Sequence, residues 1–273
     1  MTRVVDDAVL EELHALACRL AVEAGRMVRD GRATQGISDA TTKSTATDMV
    51  TEFDRASEAL IVAGLLAARP HDGMVGEEGT ATPGTSGIHW LIDPIDGTTN
   101  FLYGLPGYGV SIAASTSPSP ADTVVGAVYV PATDELFAAA KGRGATLNEA
   151  PIRCSTNADL RTALVATGFS YQPERRALQG RRVAALLPQV RDVRRFGAAA
   201  PDLCYAAAGR VDVYFEHNLG AWDMAAGVLI ATEAGCTAGA IEGGPVVPAS
   251  VLVANPALFG PMQALIAATD ATL

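Results

Sequence analysis

The sequence predicts a mixed α/β fold, in which an α+β first half and an α/β second half pack together. In residues 109–140, three successive runs rich in apolar and β-branched residues are separated by short proline-containing turns, as in an antiparallel meander. From residue 160 onward, strand patterns and helix patterns alternate. No linker or internal repeat separates the two parts, so we expect residues 1–152 and 153–273 to share one core.

Length and composition indicate a soluble, cytoplasmic protein. The 273 residues are enough to bury a full core, and 49% are hydrophobic. No stretch approaches the ~20 consecutive apolar residues of a membrane span. Residues 1–30 have acidic positions followed by apolar positions at helical spacing, which predicts a surface helix rather than a secretory signal. The four cysteines are scattered and lack metal-site spacing, so we expect reduced thiols and no zinc.

The net charge of −10 disfavours nucleic acid or an anionic membrane as the main partner. One local exception is the arginine cluster, which we define as Arg175, Arg176, Arg181, Arg182, Arg191, Arg194 and Arg195. It could attract phosphate or RNA, or it could be the solvated face of a helix and a following strand. Both interpretations remain open at the level of the sequence.

The first elements lead to a group of acidic residues. Residues 43–47 are small and polar and predict a loop, and Thr51 with Asp54 forms a capping-box pattern that begins a helix through about residue 68. A short strand at 74–76 leads into Glu77 and Glu78, whose side chains would point to opposite faces of a strand. At most one of them can therefore face the next motif. Residues 80–87 have the composition of a mobile loop.

The next motif is Trp-Leu-Ile-Asp-Pro-Ile-Asp-Gly-Thr-Thr-Asn-Phe, at residues 90–101. We expect a buried strand that ends at Asp93, because Pro94 cannot continue a strand ladder. The turn would keep Asp96 and Thr98 close to Asp93. Paired carboxylates on such a turn can bind hard divalent cations such as Mg²⁺. The alternative is an Asx-type turn in which these side chains only cap backbone amides.

The second half supplies two more candidate positions. A helix over 197–208 begins with Gly197, Ala198 and Ala199, small residues whose amides could approach a phosphate or sugar, although close packing is an equal alternative. Asp223 starts another helix and could be merely its N-cap. The other predicted elements are strands within 160–169, 190–196, 211–216 and 236–258, and helices at 174–187 and 256–268.

Four separated motifs together resemble the inositol monophosphatase family, most closely its bacterial SuhB-type members. The motifs are residues 48–54, 76–79, 90–101 and 222–227. They occur in the family's order and at similar spacing, and the resemblance as a whole extends over residues 10–268. The resemblance implies a layered α/β/α/β/α sandwich, Mg²⁺-dependent hydrolysis of phosphate monoesters, inhibition by Li⁺ and a homodimer.

The resemblance also implies roles for individual residues. Two or three Mg²⁺ ions per site would be bound by Glu77, Asp93, the carbonyl of Ile95, Asp96 and Asp223. Asp54 and Thr98 resemble the catalytic pair that polarises the attacking water, and the metal ligand Glu77 is implied to be catalytic as well. Phosphate and substrate contacts are implied for Gly97, Thr98, Gly197, Ala198, Ala199 and Glu216. Lys43 and Glu78 resemble supporting residues near the metals.

The chemistry of phosphate ester hydrolysis suits these residue types. A phosphate monoester dianion repels hydroxide, and a pair of divalent cations both neutralises the phosphate and activates water. The Thr98 hydroxyl can accept a hydrogen bond from that water while it donates its own hydrogen to Asp54. Neither a Cys-x₅-Arg loop nor a Ser-His-Asp arrangement is evident, so we expect direct attack by water.

The substrate is less sharply defined than the reaction. Asn100 and Phe101 resemble the inositol phosphatases, and Glu216 could accept hydrogen bonds from the hydroxyls of a polyol. Inositol 1-phosphate is therefore the expected substrate. Fructose 1,6-bisphosphate or another sugar or polyol phosphate is an alternative. A second alternative is an RNA- or transcription-complex-binding protein with residual phosphatase activity, in which the arginine cluster is the binding surface.

Overall fold

The computed structural model describes residues 5–37, 40–42 and 49–272, without the side chain of Met49. The predicted loop at 43–47, including Lys43, lies outside the described residues. No helix in the described part is long and apolar enough to cross a membrane.

Seven helices and fifteen strands occur in the described residues. The helices are α1 (Asp7–Gln35), α2 (Glu52–Ala68), α3 (Thr98–Tyr103), α4 (Pro173–Leu186), α5 (Ala199–Ala207), α6 (Ala221–Glu233) and α7 (Pro256–Asp270). The strands of the first half are β1 (Ala40–Thr42), β2 (Met49–Thr51), β3 (Gly73–Gly76), β4 (Ala81–Thr82), β5 (His89–Asp96), β6 (Gly109–Ser115), β7 (Thr123–Val130), β8 (Glu135–Ala140), β9 (Ala145–Leu147) and β10 (Ala150–Pro151). Those of the second half are β11 (Leu164–Thr167), β12 (Asp192–Arg194), β13 (Val213–His217), β14 (Thr237–Gly239) and β15 (Ser250–Ala254).

The larger sheet has eight strands in the order β10-β9-β8-β7-β6-β5-β3-β4. Strands β6 to β8 form the predicted antiparallel meander, which β5 extends on one side and β9 and β10 on the other, whereas β3 runs parallel to β5. Strand β5 is buried on both faces, since Leu91 packs into one core cluster while Trp90 and Ile92 pack into another. This explains why its sequence is continuously apolar rather than alternating.

Five short strands were not predicted from the sequence. The predicted loop at 80–87 contains β4, which pairs with β3, and the meander continues beyond the glycine turn at 142–144 into β9 and β10. Strands β1 and β2 pair with each other in a separate two-stranded antiparallel sheet. Strands of two or three residues are too short for a periodic pattern to reveal them.

Pro94 does not end β5 as predicted, because the strand continues to Asp96. The pairing with β6 changes register between Asp93 and Asp96, so the proline sits in a bulge. A residue in a bulge does not need to donate a ladder hydrogen bond, which is why proline is tolerated there. The bulge keeps both aspartates on one strand end instead of separating them by a turn.

The smaller sheet has the order β12-β11-β13-β15-β14, with β11 parallel to β12 and β13, and β15 antiparallel to its neighbours. Helices α1 and α2 cover the outer face of the larger sheet, α5 and α6 lie between the two sheets, and α4 and α7 cover the far side of the smaller sheet. The result is five layers, in the α/β/α/β/α order that the resemblance implies. The inner core cluster draws residues from both sheets and from α5 and α6.

Candidate metal and phosphate site

The parallel pairing of β3 and β5 places Glu77 beside Asp93. Gly76 is paired with Ile92, and the Glu77 amide, one residue further on, donates to the Ile92 carbonyl at 3.1 Å. Glu77 therefore follows the strand as the first residue of a turn, and it is Glu77, not Glu78, that joins the acidic group with Asp93.

Asp223 reaches the same place from α6. The N-cap of this helix is Gly220, and Asp223 lies three residues further on, where its Oδ2 accepts the Gly220 amide at 2.7 Å. The prediction that Asp223 could itself be the N-cap is therefore wrong. Ser111, which is paired with Asp93 across β5 and β6, donates from Oγ to the Trp222 carbonyl at 3.0 Å. This bond ties the start of α6 to the strand end that carries Asp93.

The carboxylates of Glu77, Asp93 and Asp223 form a compact acidic cluster, in which one oxygen of each lies within 4.8 Å of the others. Asp96 is close by, and its Oδ2 accepts the Ala200 amide at 2.5 Å. Burial and then the negative charges of neighbouring carboxylates raise the pKa of Asp93 and of Asp96 well above the ordinary range. Burial and the charge of Glu77 raise the pKa of Asp223 to about 7.

This donor set fits a hard divalent cation. All the groups are oxygen donors, which Mg²⁺ and Mn²⁺ prefer, and clustered carboxylates repel one another unless a cation or protons neutralise them. The Ile95 amide donates to Asp93 Oδ1 at 3.0 Å, and the Ile95 carbonyl accepts the Thr98 hydroxyl at 3.1 Å. The residues present therefore match the metal that the resemblance implies.

Asp54 and Thr98 are in contact, as predicted. Thr51 is the N-cap of α2, and both its amide (2.8 Å) and its hydroxyl (2.6 Å) donate to Asp54 Oδ2, so the predicted capping box is present. The other oxygen, Oδ1, accepts the Thr98 hydroxyl at 3.1 Å. Both side chains are buried, and the cap thereby orients Asp54 toward Thr98.

Two further residues of α2 contact the site, and neither was predicted. Ser57 Oγ donates to the Pro94 carbonyl at 3.0 Å, and Glu58 accepts the Glu78 amide at 2.8 Å. The available signal was spacing, because Glu58 lies one helical turn beyond Asp54 and so on the same face. Without knowledge of the turn that follows β3, that spacing gives Glu58 no partner.

Small residues bring three segments together beside the acids. Gly97 and Gly197 have left-handed φ angles of 90° and 106°, and a Cβ on Gly97 would lie 2.9 Å from that of Ala198. Asn100 bridges the segments, since its Nδ2 contacts the carbonyls of Gly107 (2.5 Å) and Phe196 (2.6 Å). At the start of α5, at least the Ala200 amide is engaged by Asp96 and is not open to a ligand.

A cavity of about 270 Å³ extends from Asp96 and Asp223 to Glu216, and Gly97, Gly197, Ala198 and Ala199 line it. It is slightly smaller than a typical ligand pocket of about 300–1,000 Å³, which suits a small substrate.

Glu216 lies at one end of this cavity, and the Tyr214 hydroxyl donates to its Oε2 at 2.7 Å. Burial raises the pKa of Glu216. A Cβ on Gly168 would lie 1.9 Å from Glu216 Oε2, so a side chain at position 168 would displace the Glu216 carboxyl group. Gly168 was not among the predicted site residues.

Asp202 and Arg195 also line this cavity. Asp202 was not predicted as a site residue, and Arg195 was predicted only as a member of the arginine cluster. Asp202 is 1% exposed, and its Oδ1 has no hydrogen-bond partner among the residues that the structure describes. Burial and the charge of Glu216 raise its pKa well above the ordinary range, while Arg195 acts in the opposite direction.

The arginine cluster divides into three parts. Arg176, Arg181, Arg191 and Arg194 are exposed on α4, on β12 or beside β12, as expected for a solvated surface. Arg182 is instead buried, and its Nε and Nη2 each contact Asp270 at 2.7 Å. Arg175 and Arg195 line the cavity. Arg175 and Arg195 are exposed as well, so Arg182 is the one member of the cluster that is buried.

Comparison with known proteins gives consistent matches over nearly the whole chain. The model of the inositol monophosphatase family matches residues 9–271. The chain is 44% identical over 282 residues to an inositol-1-monophosphatase of Mycobacterium leprae, which covers 97% of this chain and 95% of the relative. It is 43% identical over 222 residues to a protein of Pasteurella multocida named Nus factor SuhB, covering 81% of this chain and 82% of the relative.

Solved structures agree with this result. The crystal structure of the extragenic suppressor protein suhB from Bartonella henselae superimposes with a TM-score of 0.86 at 35% identity, covering 95% of this chain and 98% of that one. The similarity confirms the fold class that the sequence motifs imply.

Proposed function

Because the chain belongs to the inositol monophosphatase family and is a phosphoric monoester hydrolase, we propose that it hydrolyses inositol 1-phosphate to myo-inositol and phosphate with Mg²⁺. The observation that carries the proposal is the convergence of Glu77, Asp93 and Asp223 from three separate segments, with one carboxylate oxygen of each within 4.8 Å of the others. The name of the Mycobacterium leprae relative supports the choice of substrate.

The metal site is proposed to comprise the carboxylates of Glu77, Asp93, Asp96 and Asp223 and the carbonyl of Ile95. Bound Mg²⁺ ions would supply charge neutralisation of the phosphate and an activated water, which are the requirements of this hydrolysis. Backbone contacts support these positions: the β3–β5 pairing brings residues 77 and 93 side by side, the Ala200 amide donates to Asp96, and the Gly220 amide donates to Asp223.

Thr98 and Asp54 are proposed to orient the attacking water. Asp54 Oδ2 already accepts two hydrogen bonds from Thr51, so only Oδ1 faces Thr98. With its hydrogen donated to Asp54, the Thr98 oxygen has lone pairs that can accept a hydrogen bond from water. The water is then held with an oxygen lone pair free to attack phosphorus, and Asp54 acts through Thr98.

The substrate is proposed to occupy the cavity with its phosphate beside Gly97 and Thr98 and its ring beside Gly197, Ala198, Ala199 and Glu216. Glu216 is fixed by Tyr214, and its carboxyl group can form hydrogen bonds with polyol hydroxyls. An alkyl phosphate without such hydroxyls would forgo this contact, which is why a polyol phosphate fits this end of the cavity.

The test is a substrate panel assayed with Mg²⁺, with EDTA and with Mg²⁺ plus Li⁺: inositol 1-phosphate, fructose 1,6-bisphosphate, histidinol phosphate and 3′-phosphoadenosine 5′-phosphate. We expect the highest kcat/KM for inositol 1-phosphate and no turnover in EDTA.

Asp93→Asn should lower kcat by orders of magnitude while the fold is retained. Asp159→Asn, which changes an exposed carboxylate elsewhere, should leave kcat unchanged. Near-normal Mg²⁺-dependent activity of Asp93→Asn would refute the assignment, and a preference for fructose 1,6-bisphosphate would favour the alternative substrate.

A second candidate function is RNA or transcription-complex binding. It is favoured by the name of the Pasteurella multocida relative and by the exposed arginines of α4, among them Arg176 and Arg181. If this function is present, RNA binding should weaken as salt increases and should be reduced in Arg176→Ala/Arg181→Ala. Arg19→Ala, on the exposed side of α1, is the matched control. Failure to bind RNA at physiological salt would remove this candidate.

The proposal includes a homodimer, inhibition by Li⁺ and a cytoplasmic location, which stay predictions from the family resemblance. Sedimentation velocity at micromolar protein tests the first of them, because a homodimer doubles the mass of the 28.1 kDa chain.

A further inference from the structure

Glu58 is a buried carboxyl group that the proposed chemistry does not use. It lies on α2 and is 5% exposed. Its Oε2 accepts the Glu78 amide at 2.8 Å, and its Oε1 accepts both the amide (3.0 Å) and the hydroxyl (2.6 Å) of Thr80. Both oxygens are therefore engaged by the turn at residues 77–80 and do not face the acidic cluster as ligands.

The turn at residues 77–80 carries Glu77. Hydrogen bonds within the turn do not satisfy all of its backbone amides. The Gly76 amide donates to the Thr80 carbonyl at 2.8 Å, and the Gly79 amide makes a long contact of 3.4 Å to Gly76. The amides of Glu78 and Thr80 are instead satisfied by Glu58. The turn therefore obtains part of its backbone hydrogen bonding from α2.

The close approach of Glu58 requires the glycine that ends β3. A Cβ on Gly76 would lie 2.3 Å from Glu58 Oε2 and 2.5 Å from its carboxyl carbon. A side chain at position 76 would push the carboxyl group away from the turn. This gives a packing reason for the first glycine of the Gly-Glu-Glu-Gly motif.

The same face of α2 also contacts the segment that carries the other acids. Asp54 accepts the Thr98 hydroxyl, and Ser57 donates to the Pro94 carbonyl, next to Asp93. One helix thus holds both the turn of Glu77 and the end of β5. A rigid element that contacts both sides of a site can set the distance between them.

We propose that Glu58 is a positioning residue that fixes Glu77 relative to Asp93 and thereby sets the affinity of the acidic cluster for divalent cations. The proposal rests on the proposed function, since it assumes that Glu77 and Asp93 bind metal. It assigns Glu58 no contact with substrate, water or metal.

The test measures metal binding directly, by calorimetric titration of the full-length protein with Mn²⁺ alone and no substrate. Glu58→Gln retains the size of the side chain but replaces one acceptor oxygen by an NH₂ donor that faces an amide. We expect its Kd for Mn²⁺ to rise about 10-fold or more, as for other groups that hold metal ligands in place. Thr80→Val, which removes only the hydroxyl contact, should shift the Kd in the same direction by less.

The matched control is Glu233→Gln. Glu233 also accepts two backbone amides of a turn, from Gly142 at 2.7 Å and Gly144 at 2.8 Å, but that turn carries none of the acidic ligands. Its substitution should leave the Kd for Mn²⁺ unchanged. Circular dichroism verifies that every variant is folded, and kcat of Glu58→Gln at saturating Mg²⁺ should approach that of the wild type.

The outcomes separate this inference from the proposed function. If the wild type binds Mn²⁺ and folded Glu58→Gln and Thr80→Val bind it equally well, the positioning role is wrong and the metal site stands. If Glu233→Gln weakens Mn²⁺ binding as much as Glu58→Gln does, the effect is general destabilisation, which also overturns the inference. If the wild type binds no Mn²⁺ and hydrolyses no phosphate ester, the proposed function itself fails.

Discussion

Thr98 has one hydroxyl hydrogen and two acceptors within reach, Asp54 Oδ1 and the Ile95 carbonyl, each at 3.1 Å. The Ile95 carbonyl is itself a proposed metal ligand, so Asp54 is the acceptor left for this hydrogen when metal is bound. Asp54 is buried and fixed by the two donors of Thr51. A single side chain therefore determines which lone pairs of the Thr98 oxygen face the water.

Thr98→Ala tests this assignment. Removing the hydroxyl should lower kcat about 100-fold, within the usual range for a positioned proton-transfer group, because the water loses its orientation. The affinity for Mg²⁺ should change little. Steady-state kinetics over a range of Mg²⁺ concentrations separates the two effects, and Thr98→Ser, which keeps the hydroxyl, is the control. Full rescue of Thr98→Ala by excess Mg²⁺ would contradict a role in water orientation.

The acidic cluster also predicts how pH affects the metal-free protein. The pKa of Asp223 in the folded protein is about 7, far above its usual value of 3.8, and those of Asp93 and Asp96 are raised as well. Below about pH 4 the carboxyls are protonated whether the chain is folded or unfolded. As pH rises from about 4 toward 7, the unfolded chain loses these protons while the folded cluster keeps them, so stability is lost progressively and the Asp223 contribution is gone above about pH 7.

In EDTA, the thermal midpoint should therefore fall by several degrees between pH 5 and pH 8. Asp223→Asn should have a smaller decrease, and saturating Mg²⁺ should raise the midpoint of the wild type most at pH 8. These midpoints can be measured by circular dichroism. A midpoint that rises with pH in EDTA, or an unchanged slope in Asp223→Asn, would be inconsistent with the repulsive cluster.

Among the elements, α2 contacts the site through Asp54, Ser57 and Glu58. Its capping box is local in sequence, since Thr51 and Asp54 are three residues apart, and this is why it could be predicted. The contacts of Ser57 and Glu58 could not, because their partners depend on a bulge at Pro94 and on a turn about twenty residues away. Likewise, the predicted end of β5 was wrong, since the tolerance of Pro94 depends on its pairing with β6.

Removal of the α2 cap should affect both stability and turnover. Thr51→Ala deletes the hydroxyl that caps the helix and donates to Asp54, so we expect a loss of about 1 kcal/mol in the free energy of unfolding together with reduced kcat. Asp6→Ala removes the N-cap of α1, an exposed cap on a different helix. It should lower the free energy of unfolding by a similar amount without reducing kcat. Urea unfolding and steady-state assays compare the two variants. Equal kcat in both would show that the cap does not orient Asp54.

For the whole molecule, the central feature is that four distant segments converge through layered packing. The order of elements and the antiparallel meander could be predicted from local patterns, and the convergence of Asp54, Glu77, Asp93 and Asp223 only from resemblance to a family. Local patterns do not encode which strands pair in parallel or that α6 lies between two sheets. Asp202 was missed for the same reason, because its burial results from packing between layers.

We propose that residues 1–152 and 153–273 unfold as one unit, since one core cluster contains residues of both halves. Each half contains one of the two tryptophans: Trp90 is buried in the larger sheet and Trp222 lies at the start of α6. Fluorescence of the variants Trp90→Phe and Trp222→Phe, compared with circular dichroism of each in urea, should give coincident midpoints. Midpoints that differ between the two probes would indicate separately folding halves.

The most direct test of the account is the position of a bound divalent cation. Crystals soaked in Mn²⁺ and measured near its absorption edge should show anomalous difference peaks among the carboxylates of Glu77, Asp93 and Asp223, with Asp96 and the Ile95 carbonyl as further ligands. Ligand distances should be about 2.0–2.3 Å, as expected for a small hard cation bound by oxygens. Peaks only at other acidic surfaces, in a protein that retains Mn²⁺-dependent phosphatase activity, would contradict the central claim.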